Sequence, residues 1–188
     1  EVDAVEGRIS FEGVTFGYGD ERAVLRDIEL DIAAGEVLAV VGPSGAGKTT
    51  FCNLSPRLWD VTEGRVLVDG LNVHDLRVRS LREAISLVPQ EATVFGGTVE
   101  ENIRYGRLDA TDEELEAAAR AANAHDFITA LPDGCRTVVG GRGTRRSGGQ
   151  RQRVALARAL RKDAPIRIRD GATRSLDNES VRRVEEAR

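Results

Sequence analysis

The chain has 188 residues, a net charge of −4 and 40% hydrophobic content, enough for one core with a small lobe attached. The negative balance argues against a general nucleic-acid binder, and no run approaches the ~18 apolar residues of a membrane span. Cys52 and Cys135 are isolated and show no metal-ligand spacing, so reduced thiols are expected. His74 and His125 also lie apart from any ligand pattern. Lys48 and Lys162 are the only lysines, every other basic residue being arginine, and Lys48 stands out for that reason. No signal-peptide pattern opens the chain, which starts Glu-Val-Asp and stops in the charged stretch 181–188; both ends suggest a piece of something longer.

In chain order, Ile9, Phe11, Val14 and Phe16 alternate as in a half-buried strand, and residues 28–32 repeat that signal. Ala34-Gly35 turns into the apolar run Val37-Leu38-Ala39-Val40-Val41, which has strand composition. Directly after it comes Gly42-Pro43-Ser44-Gly45-Ala46-Gly47-Lys48-Thr49, a G-x-x-x-x-G-K-T phosphate-binding loop that opens a segment able to be helical. The glycines let backbone N–H groups converge on phosphate oxygens, and the helix start adds partial positive charge. Lys48 supplies a full charge toward the β- and γ-phosphates, and the Thr49 hydroxyl is placed to ligate Mg2+.

The helix should run to about Ser55, with Pro56 marking its boundary. Arg65 to Val68 reads as a strand turned by Asp69-Gly70, and Ile85 to Val88 as another, ending at Pro89-Gln90. The character then changes. Thr98-Val-Glu-Glu101 and Thr111-Asp-Glu-Glu114 match the capping box, and alanine-rich 117–122 favours helix, so a helical lobe is expected inside an α/β core. Residues 140–149 form a Gly-, Arg- and Ser-rich loop. A long helix follows from about Ser147 to Arg161, and Ile166 to Asp170 returns as a strand. Ser147-Gly148-Gly149-Gln150 can cap the long helix and offers a second anion site, weak evidence on its own.

The phosphate loop, Pro89-Gln90, the S-G-G-Q-R-Q-R helix start and Asp170 with Ser175-Leu176-Asp177 occur in an order and spacing that resembles the nucleotide-binding domain of ABC transporters, from about Arg8 to Arg188. Segments 95–106 and 137–143 resemble the exporter type. The resemblance implies an α/β fold: a P-loop NTPase core with a mainly parallel sheet, an antiparallel β subdomain on the N-terminal side and an inserted α-helical lobe. It implies one domain over 1–188, with a linker remnant at 1–7, a core from 8–90 and 162–188, and the helical lobe with the signature helix over about 91–161. It implies ATP and Mg2+ as cofactors. Tyr18 would stack on adenine. Gly42, Ser44, Gly45, Gly47, Lys48, Thr49 and Thr50 would hold the phosphates, and Thr49, Gln90 and Asp170 the metal side. Ser147, Gly148, Gly149 and Gln150 would meet the nucleotide of a second such domain, identical or not, in a head-to-tail dimer, and Asp177 is a further nucleotide-binding residue that the resemblance implies. A transmembrane domain is the further partner implied, no nucleic acid is expected, and the location implied is the cytoplasmic face of the cell membrane.

Four departures from the family pattern stand out. Arg167 and Arg169 interrupt a strand that should be continuously apolar; they must find carboxylates, snorkel out, or lie on a strand that is not buried. Gly171 stands where the family has its catalytic glutamate, so the general base is absent. If only the base is missing, Gly171→Glu should raise hydrolysis in a full-length dimer. Arg146 replaces a packing leucine, either adding charge for phosphate or disturbing the helix start. The chain also stops before the family's switch histidine, which suggests C-terminal incompleteness and a slot left in the sheet. The leading expectation is an ATP-binding domain of an exporter. A degenerate, non-hydrolytic half or an inactive fragment stays open beside it. A soluble ABC ATPase of DNA repair or translation is disfavoured by the exporter-like segments.

Overall fold

Residues 5–19, 22–139 and 147–171 are described by the structure, a computed structural model. The expectations for Gly140 to Gly143, Arg146, Ser175, Leu176 and Asp177 lie outside the described residues. Those residues divide into two compact units. One takes residues up to Ser86 together with Ala164–Asp170; the other takes Leu87–Asp163 and Gly171.

In the first unit, the alternation read at Ile9 to Phe16 forms strand β1 (Ile9–Phe16), whose Ile9, Phe11, Val14 and Phe16 all point into the core. β1 lies between β2 (Leu25–Ile32) and β3 (Glu63–Val68), antiparallel to both, and β4 (Leu71–Asn72) completes the order β2-β1-β3-β4. Ile9 faces Ile32 on one side and Val68 on the other, and Phe11 faces Leu30 and Val66. Helix α1 (Lys48–Leu54) covers this sheet: Phe51 stacks on Phe11 with ring centroids 4.4 Å apart, and Leu54 is buried. Burying side chains such as Phe11 and Leu54 stabilises by about 1.5–3 kcal/mol each. α1 stops at Leu54, two residues before Pro56, close to the expected boundary.

The β3–β4 turn also holds the leading segment. The Asp69 carboxylate accepts the backbone N–H groups of Glu6, Gly7 and Arg8 at 2.9, 3.1 and 2.8 Å. After a 3₁₀ turn at Val73–Asp75 comes α2 (Val78–Glu83), which leads into β5 (Ile85–Val88). β5 pairs with β8 (Ile166–Arg169), and Ile166 N–H donates to the Ala84 carbonyl at 3.2 Å.

The strand expected at Val37–Val41 does not form. The run joins no sheet among the described residues, and Val37 and Val41 are 72% and 83% exposed. Strand composition alone does not make a strand; a neighbour must supply the other half of its hydrogen bonds. β8 answers the question its arginines raised. Arg167 is exposed, whereas Arg169 is half-buried, and its Nε and Nη2 find no hydrogen-bond partner among the described residues. Burial pushes the Arg169 guanidinium below its ordinary value.

The second unit is helical, with a short antiparallel pair of β6 (Gly97–Thr98) and β7 (Val138–Val139). Its helices are α3 (Val99–Arg104), α4 (Asp112–Ala121), α5 (His125–Thr129) and α6 (Gly148–Lys162). The capping boxes read at Thr98/Glu101, Thr111/Glu114 and Ser147/Gln150 all form, satisfying N-terminal N–H groups from within the sequence. Val99, Ile103, Leu115, Ile128 and Val154 meet in one apolar cluster. Beside it, buried Asn102 accepts from Phe95 N–H and donates to the Phe95 and Thr98 carbonyls. Arg158 of α6 donates to the Asn102 carbonyl and side chain and to the Thr93 carbonyl, and its guanidinium lies 4.3 Å from the Phe95 ring centroid. No helix among the described residues is long and apolar enough to cross a membrane.

Candidate functional site

The loop at 42–49 is built by backbone conformations that only glycine adopts readily. Gly45 and Gly47 have φ of +83° and +86°. At Gly47 there is a second constraint: a Cβ would lie 3.0 Å from Leu25 Cδ2 and 3.1 Å from Val24 Cγ1. Gly47 is also the N-cap of α1 and carries no side chain to cap it, in contrast to the Thr98, Thr111 and Ser147 helices. Its first N–H groups are therefore left without a side-chain cap, an arrangement that suits phosphate oxygens. Lys48 Nζ bends back over this loop and donates to the carbonyls of Gly42 and Pro43, both at 2.7 Å. It thus stands over the space the loop encloses. Ser44 and Gly42 are exposed along the rim.

Thr49 and Thr50 point opposite ways. Thr49 is exposed at the mouth of the loop; Thr50 is buried, and its Oγ1 lies 2.9 Å from the Tyr18 hydroxyl. Tyr18 is 38% exposed and stands edge-on to both Phe16 and Trp59, with ring centroids 4.9 and 5.3 Å away. Val24 is half-exposed beside Gly47, and its N–H donates to the Phe16 carbonyl at 2.7 Å. Sequence reasoning missed Val24 and Trp59. The cue for Val24 was present, an apolar residue just before β2 with no alternation partner; Trp59 gave no local cue.

Asp170, at the end of β8, is buried in the same unit. Its charge reaches α1: burial first, and then Asp170, push the Cys52 thiol from its ordinary 9.0 up to about 11. Cys52 sits about one helical turn beyond Thr49 on the same helix. No cluster of three or more His, Cys, Asp or Glu among the described residues can hold a metal. The expected donors Thr49 and Asp170, a hydroxyl and a carboxylate, are of the kind that suits Mg2+, which keeps waters and takes phosphate oxygens instead of an all-protein cage.

In the second unit, Gln90 is exposed just beyond β5 and meets Gly171, whose φ is +72°. A Cβ on Gly171 would approach Gln90 Cγ and Cβ at 2.7 and 3.1 Å. Ser147 Oγ accepts from Gln150 N–H at 3.2 Å at the start of α6. Around Gly148, among the described residues outside its own helix backbone and chain neighbours, no atom lies within 4 Å of where a Cβ would stand.

Known proteins resemble this chain. The chain is 50% identical over 97% of its length to the ATP-dependent lipid A-core flippase of Chromohalobacter salexigens. It is also 50% identical, over 99% of its length, to a putative multidrug export ATP-binding/permease protein of Staphylococcus aureus. It spans 32% of each of these relatives. The structure of a bacterial Atm1-family ABC exporter with ATP bound superposes with a TM-score of 0.89 at 43% identity, over 96% of this chain and 32% of that one. The ABC transporter family model matches residues 25–174, which include the glycine loop, Gln90, the Ser147 helix start and Asp170. The chain therefore belongs to the ABC transporter family, as an ATP-binding domain of the exporter type.

Proposed function

We propose that this chain binds Mg-ATP as the nucleotide-binding domain of an exporter, in a head-to-tail pair with a second such domain, and passes the energy of ATP to a transmembrane domain. The observation that carries the reading is Lys48 Nζ held over the uncapped start of α1 by the Gly42 and Pro43 carbonyls. Phosphate oxygens replace those two carbonyls, and Lys48 needs no large movement to meet them. Thr49 and Asp170 hold the metal, which supplies charge neutralisation on the phosphates when bound. Tyr18 offers an aromatic face to the base. Ser147 to Gln150 present the second anion site to the partner's nucleotide. The names of the relatives support export, and their greater length supports a transmembrane partner and a place at the cytoplasmic face of the membrane.

A second reading, a half that holds ATP without hydrolysing it, is favoured by Gly171. It carries no carboxylate to polarise water, and Gln90 fills the space where a side chain would begin. Calorimetric titration of Mg-ATP into this chain and into Lys48→Ala tests the main reading. Saturable binding, weakened tenfold or more in the variant, is expected; equal affinity in both would refute it.

A further inference from the structure

We infer that Trp59 is a positioning residue for the base: it fixes the ring plane of Tyr18, and so contributes to nucleotide affinity without being part of the phosphate loop. The inference rests on the nucleotide reading above. Trp59 is the single tryptophan of the chain and is 50% exposed, although water is a poor environment for so large an apolar side chain.

The turn that carries it is firmly mounted. Arg57 N–H donates to the Leu54 carbonyl and Leu58 N–H to that of Asn53, at 2.9 and 3.0 Å. Arg57 Nε binds Asp60 at 2.7 Å, and its Nη1 binds the His74 carbonyl at 2.7 Å. Arg82 donates to the carbonyls of Pro56 and Arg57 at 3.0 and 2.8 Å. This scaffold holds an exposed indole against Tyr18 at 5.3 Å and 88°, the edge-to-face geometry that the charge distribution of aromatic rings favours. Phe16, buried in the core, meets Tyr18 at 87° from another side, and Thr50 ties its hydroxyl. Phe16 and Thr50 anchor the base and tip of the ring; among the described residues, Trp59 is the exposed ring that restrains its plane. A ring held in one plane before the ligand arrives loses less freedom on stacking with a purine.

The test titrates ATP and inorganic tripolyphosphate, each with Mg2+, into the unaltered chain, Trp59→Ala and Trp59→Phe, by calorimetry. Trp59→Ala is expected to weaken ATP by about three- to tenfold, the worth of one aromatic pair. Tripolyphosphate, which has no base, should bind all three alike, and Trp59→Phe should recover most of the loss. Equal ATP affinity in Trp59→Ala overturns the inference alone, and so does an equal loss for tripolyphosphate, which would mean general damage. Failure of the unaltered chain to bind ATP overturns the nucleotide reading and this inference with it.

Discussion

The Cα of Gly171 is so close to Gln90 that a Cβ there would stand 2.7 Å from Gln90 Cγ, and its φ of +72° lies in the left-handed region. Restoring the family's carboxylate is therefore not a local matter. Gly171→Glu carries a backbone penalty of roughly 1–2 kcal/mol and must also displace Gln90. Those grounds weigh against the simple expectation that this substitution raises hydrolysis. The variant should melt lower than the unaltered chain and release phosphate from ATP no faster. Scanning calorimetry with a phosphate-release assay checks this; faster release at an unchanged Tm would contradict it.

Gly47→Ala meets two obstacles at once. Its φ is +86°, and the methyl group would lie 3.0 Å from Leu25 Cδ2 and 3.1 Å from Val24 Cγ1. Leu25 is buried core and cannot give way freely. The expected loss is about 2–3 kcal/mol of stability from strain and crowding together, with weaker ATP binding. Urea unfolding followed by tryptophan emission measures the first; an unchanged midpoint would contradict it.

Arg169→Leu should stabilise. The Arg169 guanidinium is half-buried, with Nε and Nη2 unpartnered among the described residues, and burial already disfavours its charge. Removing an unsatisfied buried polar group is worth about 1–3 kcal/mol, and leucine restores the apolar character of a core strand. A rise in Tm is expected; a fall would mean that Arg169 has a carboxylate partner in solution.

The two thiols should separate by reactivity. Cys52 is mostly buried, and burial with Asp170 holds its pKa at about 11. Burial, with Glu100, Glu116 and Asp112, also raises that of Cys135, which lies exposed. At pH 8 both carry less thiolate than a free cysteine, and iodoacetamide should reach Cys135 first, as peptide mass mapping would show. The sign of the pH effect follows from the folded state holding the Cys52 proton more tightly than the unfolded state. Its contribution to stability is intact below the ordinary 9.0 and is lost as pH rises through about 11. Alkaline melting scans should show that decline, and Cys52→Ala should flatten it.

How far the sequence could be read depends on the range of the forces involved. The caps at Thr98, Thr111 and Ser147 need only a side chain three residues away, and all three formed as read. The glycine loop is equally local, and its left-handed glycines stand where the motif puts them. Val37–Val41 was misjudged because a strand depends on partners elsewhere in the chain. Val24 and Trp59 were missed for a related reason: each reaches the neighbourhood of Gly47 or Tyr18 from a separate element. The obstruction between Gly171 and Gln90, some eighty positions apart, has no one-dimensional signature at all.

The three hydrogen bonds from Glu6, Gly7 and Arg8 to the single carboxylate of Asp69 make that side chain a mechanical coupling. Tension applied along the backbone ahead of Arg8 does not act on β1 alone. It is delivered to the β3–β4 turn, and through the ladder into the whole four-stranded sheet. Asp69 thereby sets where a load from upstream enters the domain and along which direction the sheet feels it.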